Sequence, residues 1–236
     1  MDPYARRYVM GGKSYIWFNF RLFPLGVYNY IEIFTLIVGL ICLPRLRHVS
    51  LRWIVPYLLF IVLVELLGRY IGRQLHKPVA WIFNFSIPIE YLFFSFLYYV
   101  NYESERYKKI TKNFLIAFPV FVLLYSFIYS IYSFHSIYLK IGSFTMIVFS
   151  CLYLADILKS DVAVAPLKIP MFWVASGVLL FNAGEFISNF LMDLLDIDIK
   201  KWVKTFSLIN NNLILVLYSC ISIAIILASW ARKETA

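Results

Sequence analysis

Seven apolar stretches, each about 20 residues long, recur along this chain and limit it to one kind of fold. A helix of about 20 residues rises roughly 30 Å, which is the thickness of the hydrocarbon core of a bilayer. The linkers are short, so no room remains for a soluble domain. We therefore predict an all-α, polytopic membrane helix bundle of seven transmembrane helices. The predicted spans are Phe23–Leu43, Trp53–Gly72, Ala80–Val100, Phe114–Phe134, Ile137–Ile157, Pro170–Met192 and Phe206–Trp230.

The composition also indicates that lipid is the main solvent of this chain. Of its 236 residues, 62% are hydrophobic and 15% are charged, which is too little polar surface for a soluble fold of this size. We expect a multi-pass protein of the cell membrane, specifically a bacterial inner membrane. The predicted organisation is an interfacial tail at residues 1–22, a seven-helix domain at 23–230 and a short tail at 231–236.

The fourth and fifth spans are the hardest to separate, because only His135 and Ser136 lie between them. A single helix across both would be about twice as long as a bilayer is thick. We therefore expect a tight hairpin at this point.

Lys and Arg divide almost evenly between the two faces of the membrane. Seven spans place the termini on opposite faces, and we name the N-terminal one face A and the other face B. Basic residues close to a span favour the cytoplasmic face. Arg6 and Arg7 lie far from the first span, and leaving them out tips the balance to face B. We expect the N-terminus outside and the C-terminus in the cytoplasm.

Motifs that would indicate ordinary enzyme chemistry are missing from the sequence. It has no phosphate-binding glycine loop, no serine elbow and no paired-cysteine metal motif. Cys42, Cys151 and Cys220 fall within or at the end of spans, and we interpret them as packing residues. We predict neither a cofactor nor a metal site, and an enzyme is the less favoured class.

The net charge of +9 points to lipid rather than to nucleic acid. The basic residues lie in short loops beside the spans, where they meet anionic lipid headgroups. Membrane lipids are therefore the expected partners. A small polar or cationic ligand and a membrane or signalling partner protein are further expectations.

Four acidic residues fall inside predicted spans, where a charged side chain costs a few kcal/mol. Glu32, Glu65, Glu90 and Glu185 lie on four different helices, each about seven to ten residues from face A. Residues at equal depth on neighbouring helices can meet in the bundle interior. We therefore predict one polar vestibule that opens towards face A and is closed by an apolar floor towards face B.

Other polar residues crowd into the same half of the membrane. Arg69 follows Glu65 by four residues, which predicts an ion pair on one helix face. Asn182 and Asn189 flank Glu185 at helical spacing. The candidate ligand-binding residues are Glu32, Glu65, Arg69, Glu90, Asn182, Glu185, Asn189 and Asn211.

A proline adds to the polarity around Glu90. Pro88 lies in the middle of the third span and leaves the carbonyl of Asn84 without its usual helical partner. The alternative interpretation of all these groups is that they only hold helices together by interhelical hydrogen bonds. Both interpretations stay open at this point.

Two short stretches carry a resemblance to known proteins. Pro170-Met171-Phe172-Trp173, followed by glycines and Phe186, resembles the penultimate helix of uncharacterised seven-helix membrane proteins from Bacteroidetes-type bacteria. The stretch 84–94 is similar in character. A more distant similarity is to the seven-helix modules of bacterial sensor kinases. The resemblance implies a seven-helix fold and assigns no activity and no functional residue.

Three functions are compatible with these features. The first is a receptor-like or small-ligand-binding membrane module with a polar intramembrane vestibule. The alternative is an ion-coupled transporter that uses the same acids as proton or cation sites. A lipid-modifying membrane enzyme is a further alternative, with Glu90 or Glu185 as its acid or base. Flux across liposomes would distinguish the second function, and lipid turnover the third.

Overall fold

The structure, a computed structural model, describes residues 27–46, 49–130, 132, 135–159, 165–194 and 199–230. These residues are almost entirely helical and include no β-strand. Seven of the helical segments are long and apolar enough to cross a membrane, and no separate soluble domain is present in the described part. The helices are α1 (Val27–Cys42), α2 (Val49–Arg52), α3 (Ile54–Arg69), α4 (Ala80–Asn101), α5 (Glu105–Ile128), α6 (Ser136–Lys159), α7 (Pro170–Leu194) and α8 (Ile199–Trp230).

The helix bounds agree with most of the predicted spans and correct three of them. The fourth span was placed too late, because α5 already begins at Glu105 and ends at Ile128. Charged residues fill its first turns, so hydropathy alone misses the start of the helix. α8 begins at Ile199, seven residues before the predicted start, for the same reason. α3 continues through a π-helical turn at Tyr70–Gln74. The predicted tails at 1–22 and 231–236 lie outside the described residues.

Contacts at both ends of α1 and α3 show that these helices are antiparallel. Gly39 of α1 lies against Val55, near the start of α3. Arg69, at the end of α3, donates a hydrogen bond to Asn29, near the start of α1. Such alternation is what consecutive membrane spans require.

α4 and α6 run in parallel, because they are separated by one intervening span. Tyr91 bonds to Ser143 at 3.0 Å and Tyr98 bonds to Ser150 at 2.6 Å, so both helices advance in the same direction. Each tyrosine hydroxyl is buried and finds a serine across the interface. These pairs give the two helices a defined register.

Six long helices form a closed ring in the order α1, α3, α4, α6, α7 and α8, with α8 returning to α1. α5 packs outside this ring, against α4 and α6. The interior of the ring is therefore the one space that all six helices face. A side chain that points inward from any of them meets side chains from the others.

Two glycines allow α7 and α8 to approach closely. A side chain at Gly177 would stand 2.8 Å from Cβ of Cys220, and one at Gly184 would stand 2.7 Å from Cδ2 of Leu213. The same two contacts show that the helices are antiparallel. The small residues of α7 therefore serve packing, as membrane helix interfaces generally use them.

Candidate functional site

A cavity of about 70 Å³ lies inside the ring of helices. All six ring helices contribute to its wall, and the four glutamates of the predicted vestibule line it together. The lining residues are Glu32, Ile61, Val64, Glu65, Phe83, Ser86, Ile87, Glu90, Tyr91, Leu139, Phe181, Glu185, Ile214, Leu217 and Tyr218. We name this space the acid cavity.

Glu185 is the acid with the most complete set of hydrogen bonds. It is 4% exposed, and its Oε2 accepts from the Ser143 hydroxyl at 2.9 Å and from the Tyr91 hydroxyl at 3.5 Å. The Tyr91 and Ser143 oxygens are 3.0 Å apart, so three helices, α4, α6 and α7, meet in one small network. This network fixes the carboxyl group of Glu185 at the wall of the cavity.

Glu32 lies on α1, which is separated from α7 in the ring by α8. It is 4% exposed, and its Oε2 accepts a hydrogen bond from Nδ2 of Asn29 at 3.3 Å. One turn further along α1, the hydroxyl of Thr35 lies 2.9 Å from that of Ser222 on α8. The α1–α8 side of the ring thus has its own polar contacts.

The predicted ion pair between Glu65 and Arg69 is not formed at bonding distance. The Oε2 atom of Glu65 is buried and has no hydrogen-bond partner among the described residues. The guanidinium of Arg69 instead donates to the Tyr28 hydroxyl at 2.6 Å and to the side-chain oxygen of Asn29, and it also lies over the Tyr28 ring. The four-residue spacing predicted a pair that does not form, because Tyr28 and Asn29 on the neighbouring helix α1 bind the guanidinium instead.

Glu90 lies at the middle of α4, two residues after Pro88, which is inside the helix as the sequence indicates. Its side chain is half-buried because it borders the cavity. The Tyr57 hydroxyl lies beside the Glu90 carboxyl, outside hydrogen-bonding geometry. Glu90 therefore faces the cavity with few fixed partners.

Three asparagines of the predicted vestibule lie apart from the cavity wall. Asn182 and Asn189 are buried, but their Nδ2 atoms bond to carbonyls of their own helix, those of Val178 and Glu185, at 2.8 and 2.9 Å. Asn211 is half-buried on α8. None of the three, nor Arg69, is among the described lining residues. The structure thus brings together the four glutamates and leaves the other four candidates outside the wall.

The sequence analysis missed the polar lining residues Tyr91 and Tyr218, and also Ser143, which bonds to the lining residue Glu185. No candidate was placed on α6, although Ser143 binds Glu185. The available signal was Gly142, a glycine inside an apolar span next to a serine. Its missing side chain leaves room for the Tyr91 ring.

The cavity has room for protons, water or one small hydrated ion, rather than for a metal ion that several carboxylates hold directly. Within the described residues, no three His, Cys, Asp or Glu side chains come close enough to hold one metal ion. The four glutamates therefore surround the space rather than converge on a single position. About 10–15 Å³ of such volume is needed for one water, so a few waters or one partly hydrated ion fit.

A close-packed floor lies below the acid cavity, towards face B. Tyr98 is fully buried among the rings of Tyr102, Phe149 and Tyr153, at centroid distances of 6.0, 6.4 and 5.9 Å. The Tyr102 hydroxyl bonds to the carbonyl of Phe149 at 2.8 Å, so even the polar atoms of this layer are used internally. The ring interior at this level is filled by fully buried apolar side chains, among them Leu58 of α3, Leu97 of α4, Val178 of α7 and Ile221 of α8. The cavity therefore does not continue towards face B.

A second buried polar group lies outside the spans, at the connection between α5 and α6. His135 is 5% exposed, and its backbone N–H donates to Oδ1 of Asn84 at 3.0 Å. The imidazole packs edge-on against the rings of Tyr125, Tyr129 and Tyr138. Burial lowers the pKa of His135, since the charged imidazolium loses its hydration.

Comparison with known proteins adds no relative: no family model, no curated protein and no solved structure matches the chain. What is established rests on the molecule itself. Seven helices in the described part of the chain are long and apolar enough to cross a membrane, which indicates a multi-pass membrane protein.

Proposed function

We propose that the protein is a receptor-like membrane module that binds a small cation, the proton or a monovalent metal ion, at the acid cavity. The observation that carries this proposal is that Glu32, Glu65, Glu90 and Glu185, from four different helices, line one space inside the helix ring. Carboxylates supply the oxygen atoms that hard cations prefer.

The balance of charge supports a cation. Carboxylates that share a space of low dielectric repel one another and have lost their hydration, so they need positive charge close by. Arg69 interacts electrostatically with Glu32 and Glu65. No Lys, Arg or His is found among the described lining residues. One guanidinium cannot balance four carboxylates, so protons or a bound cation must supply the rest.

The size of the cavity supports a small ligand. Its volume of about 70 Å³ is far below the roughly 300–1,000 Å³ of pockets that hold drug-sized molecules. The cavity lies inside the helix ring and away from the lipid headgroups, which favours binding over lipid chemistry. A small cation with one or two waters is therefore the ligand that fits best.

An ion-coupled transporter is the second candidate function. Glu90 and Glu185 lie near the middle of their helices, and transporters bind their substrates near the bilayer midplane. Against this, fully buried apolar side chains fill the ring interior on the face B side. Proteoliposomes loaded with a pH-sensitive dye would show proton or cation-driven flux for a transporter and none for a receptor-like module.

The binding proposal is tested by thermal unfolding in nanodiscs of neutral lipid. Lithium, sodium and potassium chloride are compared with choline chloride at constant ionic strength over a range of pH. A cation that binds only the folded state at 100 times its Kd stabilises it by about 2.7 kcal/mol. We expect wild type to be stabilised by one of these ions or by acid, and Glu65→Gln and Glu90→Gln to lose that response.

Glu103→Gln is the matched control, because Glu103 is an exposed acid outside the spans. It should respond as wild type does. If Glu65→Gln and Glu90→Gln also respond as wild type does, the acid cavity is not the binding site.

We further propose that the ligand enters from face A, because the aromatic floor obstructs the other side. Cysteine at position 90 or 185, in a background without native cysteines, should react with a membrane-impermeant thiol reagent added from face A. Labelling of neither position, or labelling from face B alone, would contradict this route.

A further inference from the structure

An apolar cleft lies on the outer side of the bundle, between α3 and α4. Its volume is about 200 Å³, and its aromatic and aliphatic walls include Trp53, Tyr57, Phe60, Ile89, Phe93 and Phe96. Trp53 and Phe96 are exposed, so the cleft opens outward. It lies within two membrane spans, and the surrounding medium is therefore the hydrocarbon of the bilayer.

The floor of the cleft is a pair of stacked rings. Tyr57 and Phe93 lie 4.1 Å apart between ring centroids, with an angle of 6° between their planes. The edge of Phe94 closes the far side of Tyr57 at 5.3 Å. A flat aromatic surface of this kind suits an apolar or aromatic body that enters from the lipid.

The cleft and the acid cavity are separated by very little. Ile89 lines the cleft, and the next residue, Glu90, lines the cavity. Tyr57 stands between the two spaces, with its ring in the wall of the cleft and its hydroxyl beside the Glu90 carboxyl. That hydroxyl is buried and has no hydrogen-bond partner in the part of the chain that the structure describes.

We propose that the cleft and the acid cavity together form one site for a lipophilic amine that enters sideways from the bilayer. Its apolar body lies against Phe60 and Phe93, and its ammonium group donates hydrogen bonds to the Glu90 carboxylate and the Tyr57 hydroxyl. An ammonium has three donors, so one head group can serve both the carboxylate and the hydroxyl. Together the two spaces approach the lower limit of ordinary ligand pockets, about 300 Å³.

This inference rests on the proposed cation site and names the class of ligand that would use it. Charge complementarity selects the amine over other lipids, because an acid cavity rejects a carboxylate head and gains little from a hydroxyl. The apolar cleft in turn selects a lipophilic body over a free metal ion.

The test uses bromophenylbutylamine, bromophenylbutanol and bromophenylbutyrate, which share one apolar body and differ in the charge of the head group. Bromine quenches tryptophan fluorescence at short range, and Trp53 lies in the cleft wall. In nanodiscs of neutral lipid, the amine should quench saturably at a concentration about tenfold lower than the alcohol, a difference of about 1.4 kcal/mol. The acid should quench least.

Two variants assign the signal. The chain has 6 Trp, so Trp53→Phe should remove the saturable component and leave only linear quenching of the others. Glu90→Gln should abolish the preference for the amine while the alcohol still binds. Glu103→Gln removes an exposed acid outside both spaces and should keep the preference for the amine over the alcohol.

Three outcomes would overturn the inference: no saturable quenching by any compound, equal affinity for amine and alcohol, or an amine preference that survives in Glu90→Gln. The small-cation measurement in the same discs keeps the two proposals apart. If sodium, potassium or protons act through Glu65 and Glu90 but the amine shows no preference, only the amine site is wrong. If the amine preference depends on Glu90 and small cations have no effect, the proposed small-cation ligand is wrong.

Discussion

The ring of Tyr91 occupies the space that a side chain at position 142 would need. A Cβ built on Gly142 would overlap the ring, whose hydroxyl bonds to Ser143 and Glu185. The glycine on α6 therefore sets the position of a tyrosine that holds the wall of the acid cavity.

We predict that Gly142→Ala destabilises the protein by about 1–3 kcal/mol, the usual cost of overpacking a filled interior. The measurement is the unfolding temperature in detergent. Gly68→Ala is the control, because its nearest neighbour would be the Phe83 ring at an ordinary 3.6 Å. Gly142→Ala should be clearly less stable than Gly68→Ala, and equal stability would show that the Tyr91 ring has room to move.

Tyr91, Ser143 and Glu185 should act as one unit. We predict that Ser143→Ala and Tyr91→Phe are non-additive, with a coupling free energy of about 0.5–3 kcal/mol in a double-mutant cycle. The physical reason is that both hydroxyls lie within hydrogen-bonding distance of the same carboxyl oxygen and of each other, so losing one changes which partner the other bonds. Tyr98→Phe with Ser143→Ala is the control pair, since Tyr98 bonds to Ser150 instead. Additive effects for Ser143 and Tyr91 would contradict the network.

Arg69 should be irreplaceable by lysine. Its Nη2 atom donates to both Tyr28 and Asn29 while the guanidinium carbon lies over the Tyr28 ring, and the shorter lysine side chain with its compact ammonium cannot keep that arrangement. We predict that Arg69→Lys costs about 1–3 kcal/mol although the charge is kept. Asn29→Ala should show a loss of the same sign. If Arg69→Lys is as stable as wild type, a simple charge interaction with Glu65 would be enough to explain the role of Arg69.

His135 should make the protein less stable in acid. Burial lowers its pKa in the folded state, so the unfolded chain binds more protons between that value and the ordinary pKa of about 6.5. The contribution of neutral His135 to the free energy of unfolding is fully present above about pH 6.5 and is lost as the pH falls through the pKa that His135 has in the folded state. The rings facing it belong to Tyr125, Tyr129 and Tyr138.

The measurement is the unfolding temperature of wild type and His135→Gln over about pH 5–8, the range in which histidine titrates. The unfolding temperature of wild type should fall more in acid than that of His135→Gln, so the difference between the two temperatures should change across this range. Parallel curves would show that His135 does not titrate differently on folding.

The fold was largely predictable from the sequence, because a membrane span can be recognised from one local run of residues. Each span is visible as a run of apolar residues, and Ala80 and Pro170 begin helices where predicted. The fourth span was misplaced because its first turns carry charges that belong at the membrane surface. The order of helices around the ring, with α5 outside, depends on packing between distant segments and leaves no periodic signal.

The meeting of the four glutamates was predictable from depth, because residues equally far from one face lie at one level in antiparallel helices. The neighbours of each acid were not. Asn182 and Asn189 share a helix face with Glu185, yet they bond to carbonyls one turn back on their own helix. Arg69 bonds to Tyr28 and Asn29 on α1 and not to Glu65, four residues before it on its own helix. Helix spacing shows which groups can meet and does not rank the partners on other helices.

The central claim is that the acid cavity holds protons or a small monovalent cation in balance with its four carboxyl groups. Infrared difference spectroscopy at neutral pH tests it, because the carbonyl stretch of a protonated carboxyl is separate from the bands of a carboxylate. Wild type is compared with Glu32→Gln, Glu65→Gln, Glu90→Gln and Glu185→Gln, each with and without lithium, sodium or potassium. We predict a protonated-carboxyl band that at least one variant removes, or carboxylate bands that shift when one of these ions is added. Spectra with no protonated carboxyl and no response to any of the ions would contradict the account.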